Sequence, residues 1–192
     1  MLQGIFIEHF EHEHIEDRIS LLYDYHIQKN LNHLSMQFDR NKIRELHEDS
    51  IENNQDSKRY YVIKTNKNKI VGYCWISSID WINRTCELSI GILPEYRIGY
   101  GLLALVKMYD YLYDQLNMKT VLNQILEGNE LLRSKVSLDG LAIKIKGDSF
   151  TAGKVRNAYM WTQTKEEHEL LGKEKAKKNK QLNSKFKEVM SR

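Results

Sequence analysis

One decapeptide constrains this chain more than any other: Leu93-Pro94-Glu95-Tyr96-Arg97-Ile98-Gly99-Tyr100-Gly101-Leu102. Before it, residues 85–92 alternate in polarity; after it, residues 100–117 carry apolar side chains at helical spacing. A strand that enters a glycine turn and opens a helix leaves the first backbone N–H groups of that helix without intrahelical acceptors. The helix dipole adds partial positive charge there, and glycine lets the main chain approach a ligand closely. The product is a cradle for a phosphate or diphosphate, with Arg97 adding a full positive charge at its mouth. The same residues also serve an ordinary strand-to-helix turn, and Gly-x-Gly alone does not separate the two readings. A P-loop is excluded, because Gly101 is followed by Leu102-Leu103 rather than Lys-Ser/Thr. A dinucleotide fingerprint wants Gly where Ala104 stands and a βαβ unit around it.

Upstream, residues 4–10 alternate as a first strand, and residues 11–29 place Ile15, Ile19, Leu22, Tyr23, His26 and Ile27 at helical spacing. Asp39 is an N-cap candidate for a second helix, 39–54. Residues 30–38 form a loop rich in apolar side chains, which reads either as a pocket wall or interface or as packing onto the core. Three strands then follow in meander order, 59–65, 69–80 and 85–92, joined by turns short enough for antiparallel hairpins. In the third, Thr85, Glu87, Ser89 and Gly91 share one face, and Cys86, Leu88, Ile90 and Ile92 the other. Glu87, a carboxylate in a central strand, is open to two readings: a solvated or ion-paired side chain, or a base over a cleft. After the glycine turn come a helix over 100–117, a strand over 118–126, a helix over 129–138 stopped by Gly140, strands over 141–145 and 155–163, and a charged helix from Lys165.

With 192 residues, 41% of them apolar and 29% charged, the chain reads as one globular α/β or α+β domain. No stretch approaches the roughly twenty apolar residues of a membrane span, and no secretory signal pattern opens the chain, so a cytoplasmic protein is expected. Cys74 and Cys86 fall within strands and read as buried reduced thiols. His9, His12 and His14 alternate with Glu8, Glu11 and Glu13, but no matching ligand group occurs elsewhere, and no metal is expected. A Ser-His-Asp or Cys-His arrangement has no motif around it.

The order β-α-α-β-β-β-glycine turn-α-β-α-β-β-α resembles the GNAT superfamily of N-acetyltransferases, in the branch of the ribosomal-protein N-terminal and nucleotide-sugar acetyltransferases. Four stretches carry the resemblance: Cys86-Glu87-Leu88-Ser89-Ile90-Gly91-Ile92; Pro94-Glu95-Tyr96-Arg97 with Gly99-Tyr100-Gly101; Glu127-Gly128-Asn129-Glu130 with Gly140-Leu141; and Asn157-Ala158-Tyr159-Met160-Trp161 with Thr164-Lys165-Glu166-Glu167. It implies a mixed, mostly antiparallel sheet of about seven strands flanked by helices, and transfer of an acetyl group from acetyl-CoA to a primary amine by direct attack. Arg97, Ile98, Gly99, Tyr100, Gly101 and Leu102 would hold the diphosphate. The backbone of Ile90 and Ile92, with Asn129, would align the pantetheine arm. Glu87 would take the acceptor's proton, or as a structural carboxylate only orient the acceptor. Two departures stand out. Only Ile98 separates Arg97 from Gly99 where the family has two residues, and Val136 stands where many relatives carry a tyrosine acid. Tyr159 is the other tyrosine considered for that role, against a reading as core.

The resemblance divides the chain into an acyltransferase domain, 1–172, and a basic helical extension, 173–192. Residues 165–192 hold nine Lys/Arg against five Glu, with Leu182, Phe186, Val189 and Met190 on one helical face. That pattern favours a helix docked on the domain or on a second copy, as in a homodimer, over a basic arm for nucleic acid or an acidic protein. The acceptor stays open between a protein N-terminus, an amino-sugar nucleotide and a polyamine. Two alternative functions accompany this reading: a GNAT-fold binding or regulatory module with little turnover, and an acyltransferase acting on nucleic acid or a nucleic-acid-bound partner.

Overall fold

The computed structural model describes residues 4–30, 39–97, 99–129, 143–151 and 154–173. Strands β1 (Ile5–His9), β2 (Arg59–Thr65), β3 (Ile70–Asp80), β4 (Thr85–Ile92), β5 (Thr120–Leu126), β6 (Ile143–Thr151) and β7 (Lys154–Thr164) form one sheet in the order β1-β2-β3-β4-β5-β7-β6. Every neighbouring pair is antiparallel except β4–β5, which is parallel. This is the mixed, mostly antiparallel seven-stranded sheet expected from the sequence.

The expected helix over 11–29 is broken. A single turn at His12–His14 leads into α1 (Ile15–Leu22), and α2 (Tyr25–Asn30) starts afresh after Asp24. The cause is local: Asp24 Oδ1 accepts the Ile27 N–H at 3.1 Å, so its side chain caps a new helix instead of continuing the old one. Helix α3 (Arg40–Glu52) begins as expected, with Asp39 accepting the Lys42 N–H at 2.9 Å. Helix α4 (Tyr100–Asp110) ends earlier than the 100–117 stripe suggests. The chain then widens by one residue per turn over Tyr111–Gln115, where the Leu116 N–H reaches Tyr111 O. The final strands run longer than 141–145 and 155–163, because β6 and β7 stay paired beyond an irregularity between Ile145 and Ser149. A last helix, α5, covers 165–173. The expected helix over 129–138, apart from Asn129, and the apolar loop over 30–38, apart from Asn30, lie outside the described residues, as does the chain beyond 173.

Two apolar cores flank the sheet. On one side Tyr100, Ala104, Met108 and Leu112, spaced four apart, bury the inner stripe of α4 and its extension against Ile63, Val71, Ile76, Leu88 and Val121. On the other, α1 and α3 pack Ile15, Ile19, Leu22 and Ile43 against Val62, Tyr73 and Trp75. Both cysteines are buried and free, and burial pushes the Cys86 thiol up to about 12. Among the described residues no helix is long and apolar enough to cross a membrane.

Candidate active site

The site is organised by a fork between β4 and β5. They pair only through Thr85–Thr120, Cys86–Val121 and Glu87–Leu122. Beyond Glu87 the strands part: β5 continues against β7, and β4 continues against β3 alone. In an antiparallel ladder, alternate residues turn both backbone groups toward the partner. The Leu93 N–H donates to Val71 O at 3.0 Å, so Leu93, Gly91 and Ser89 face β3. The backbone groups of Leu88, Ile90 and Ile92 therefore face the open fork. Ile90 and Ile92, picked out for the pantetheine arm, lie on the edge of β4 that no described strand pairs beyond Glu87.

At the open end of the fork stands the glycine loop. Gly99, with φ 124° and ψ −10°, caps the N-terminus of α4 in a conformation that suits only glycine. The Leu102 and Leu103 N–H groups turn inward to Gly99 O, while Gly99, Tyr100 and Gly101 form the exit of the helix. Gly101 is held close to the strand: a Cβ there would touch Ile92 Cγ1 at 3.4 Å. Leu102 is exposed on the first turn, and Ile98 lies outside the described residues. Asn129 follows β5 across a turn at Gly128 (φ 93°), where its N–H donates to Leu126 O at 3.1 Å. Parallel pairing puts Ile92 level with residue 127, so Asn129 also belongs to this end of the fork.

Arg97 behaves differently from expectation. Its guanidinium is not a bare charge at the mouth of the cradle. Nη2 donates to Asp24 Oδ1 at 2.5 Å and Nε donates to Ile92 O at 3.0 Å. Burial alone would raise the Asp24 carboxyl, but the hydrogen bonds from Arg97 and the Ile27 amide outweigh it and hold the group below its usual range. Arg97 thus neutralises a carboxylate, braces the loop and occupies one carbonyl of the fork.

Glu87 sits at the closed end, half-buried, where the last β4–β5 pair is made. Among the described residues it makes no hydrogen bond or ion pair. Its face of β4 looks toward α1 and α2: four residues further on, a Cβ added at Gly91 would meet Leu21 at 3.3 Å and Ile27 at 3.5 Å. A carboxylate without a partner among the described residues, at the end of a strand pairing, can serve as a proton acceptor. Tyr159 is opposite Ile125 on β7, beneath the Lys144 ammonium, and half-buried. A hollow of about 570 Å³ lies between α1, Ile70 and Leu93-Pro94. It is roughly 20 Å along β4 from Glu87, too far to be the reaction chamber.

The histidine-glutamate run at 8–14 disperses. His14 Nδ1 accepts the Glu11 N–H, His12 reaches Glu52, and His9 lies tilted against the Tyr61 ring. Among the described residues no three His, Cys, Asp or Glu side chains are placed to hold a metal ion. Sequence reasoning missed Asp24 altogether, because Tyr23, His26 and Ile27 carry the apolar stripe across it. The available signal was an Asp three residues before Ile27, the spacing of an N-cap.

Comparison with known proteins follows the same outline. The family described as the acetyltransferase (GNAT) domain matches residues 5–134. No curated protein sequence matches the chain. Among solved structures, the fold is similar to that of a spermidine N-acetyltransferase from Vibrio cholerae in complex with CoA and spermine. The TM-score is 0.76 at 16% identity, covering 85% of this chain and 97% of that one. Mutant forms of the spermidine/spermine N-acetyltransferase of the same organism give 0.73 at 16% identity, over 88% and 98% of the two chains.

Proposed function

We infer the chemistry from one premise: the chain belongs to the acetyltransferase (GNAT) domain family. It is an N-acetyltransferase that moves an acetyl group from acetyl-CoA to a primary amine. On this chain's own residues, the glycine loop at Gly99–Leu102 receives the diphosphate, with helix-end amides and the α4 dipole countering its charge. The pantetheine arm lies along the open edge of β4, taking the backbone groups of Ile90 as an added strand would. The arm carries the thioester down the fork toward Glu87. The acceptor amine approaches from the α1–α2 face and gives its proton to Glu87, directly or through one water. Its free electron pair then attacks the thioester carbonyl; as the C–S bond breaks to release CoA thiolate, the nitrogen gives its second proton to solvent, and solvent protonates the thiolate. Holding amine and thioester in line supplies much of the acceleration, and proton removal supplies the rest.

The observation that carries this reading is the fork itself: a parallel pair that stops at Glu87 and opens a backbone edge toward a helix N-terminus. Within amines we propose a polyamine as acceptor. The solved proteins of the same fold carry spermidine and spermine in their names. A cytoplasmic location fits acetyl-CoA as donor. The test is calorimetry with acetyl-CoA followed by thiol release with spermidine. The expected result is saturable binding and release that depends on the amine. Absence of both overturns the enzyme reading, and release with another amine but not spermidine overturns only the acceptor.

A further inference from the structure

We infer that Asp24 is a positioning residue for acetyl transfer: it ties helix α2, as a strap across the open end of the fork, to the loop that receives the donor. The inference rests on the reading above that acetyl-CoA enters this fork.

Asp24 Oδ1 is shared. It accepts the Ile27 N–H, which starts α2, and the Arg97 Nη2, which belongs to the donor loop. Arg97 in turn holds Ile92 O, the last carbonyl of the β4 arm. The far end of α2 is fastened to the other arm, since Arg156 Nη1 on β7 donates to Lys29 O at 2.9 Å. Six residues of helix therefore span from the β4 side of the fork to the β7 side, with Ile27 lying over Gly91 in between. At the closed end the arms are held by three strand pairs; at the open end the described ties between them run through α2. The Asp24–Arg97 pair is mostly shielded, at 21% and 17% side-chain exposure, so its attraction is less screened than that of a surface pair.

The consequence is coupling. A donor seated between the arms fixes the loop, Arg97 transmits that to Asp24, and Asp24 fixes the start of the helix that walls the acceptor side. Donor binding then orders the acceptor wall before the amine arrives, which lowers the entropy left to lose in the second step.

The experiment uses the full chain with CoA as the probe. Asp24→Asn keeps an acceptor for the Ile27 N–H, so α2 stays capped, but removes the charge that holds Arg97. Wild type is expected to bind CoA and to show slowed amide exchange over residues 25–30 on binding. In Asp24→Asn, CoA affinity falls by about tenfold, KM for acetyl-CoA rises more than kcat falls, and the exchange response of 25–30 disappears. Arg97→Gln, approached from the other end, loses the same response, and the double variant binds CoA no more weakly than Arg97→Gln alone. An Asp24→Asn protein that binds CoA as tightly as wild type, or whose α2 amides still respond, overturns the strap while leaving the acetyl-CoA reading intact. A wild type that does not bind CoA overturns both.

Discussion

The two faces of the sheet bury polar groups in opposite ways. On the α4 face three deep hydroxyls have described protein partners: Tyr109 donates to Asn123 Oδ1 and Tyr113 to Gln163 O, both at 2.7 Å, and Tyr61 to Tyr111 at 3.3 Å. On the α1–α3 face a guanidinium is enclosed with a neutral ring. Arg18 lies 4.3 Å over Tyr60 and 4.8 Å over Trp75, and hydrogen-bonds His47 Nε2. Arg18 Nε, His47 Nδ1, Ser50 Oγ and Tyr73 OH are buried there without a partner among the described residues. A fully satisfied core holds one arrangement; a core with unmet polar groups has less to lose by shifting. The difference teaches which side is platform and which is wall. On the reading proposed above, the donor would meet the first face, at the end of α4, and the acceptor the second.

The sharpest break is made on the platform. Leu112→Ala, at a fully buried position beneath α4, is expected to cost about 2–5 kcal/mol through lost burial and the cavity left behind. Urea unfolding checks it, and a cost below that of a surface substitution would contradict a tightly packed α4 face. Next in size is a change at the fork, on the opposite face of β4. Glu87→Gln is expected to lower kcat by on the order of 10²-fold while leaving the unfolding midpoint nearly unchanged. Glu87 makes no described polar contact whose loss would destabilise the fold. Unchanged turnover would return Glu87 to the role of a structural carboxylate.

How much of this was legible in the sequence follows from the same contrast. The α4 face is written in ordinary periodicity: Tyr100, Ala104, Met108 and Leu112 fall four apart, and the alternation of Cys86 to Ile92 names the strand and its faces. The glycine loop was legible as a turn, because Gly99 and Gly101 stand between a strand and a helix and Gly99 takes a positive φ. The strap was not. Asp24 interrupts a stripe that continues on either side of it, and its partner Arg97 is distant in sequence. Arg97 itself was read for its charge, and pattern alone does not reveal that a carboxylate had claimed that charge. The fork was half visible: a helical crossover permits β4 and β5 to run parallel, but where the pairing stops is set by packing, not by either strand's composition.

On the wall, the contrast is open to test by pH. Burial, then the charges of Arg18 and Lys58, lower the His47 imidazole from 6.5 to about 2. In the unfolded chain it binds a proton near its ordinary value, and in the folded chain it does not until far below. Stability is therefore unaffected above pH 6.5 and falls as pH drops from there toward 2, because the unfolded state takes up the proton first. The contribution lost by pH 5 is about 2 kcal/mol. His47→Phe removes that component, so the variant is expected to lose stability less steeply than wild type as pH falls from 6.5 to 5. Parallel stability–pH curves for the two would mean that His47 is solvated, and the wall no different from the platform.

The smallest expected effect is at Arg18. Taking a guanidinium out of water costs several kcal/mol, and here no carboxylate is described within reach to repay it, only two aromatic faces and a neutral imidazole. Arg18→Met keeps most of the volume and removes the charge, so it is expected to change stability by no more than about 1 kcal/mol in either direction. Arg18→Ala is the control that leaves a cavity, and it should cost more than the methionine. Removing the charge also removes one of the causes that depress His47, so Arg18→Met should flatten the acid limb that His47 makes steep. A loss of several kcal/mol in Arg18→Met, equal to that of Leu112→Ala, would mean that the guanidinium has bonding partners as complete as those of the tyrosines on the α4 face. The two sides of the sheet would then have to be regarded as equally rigid.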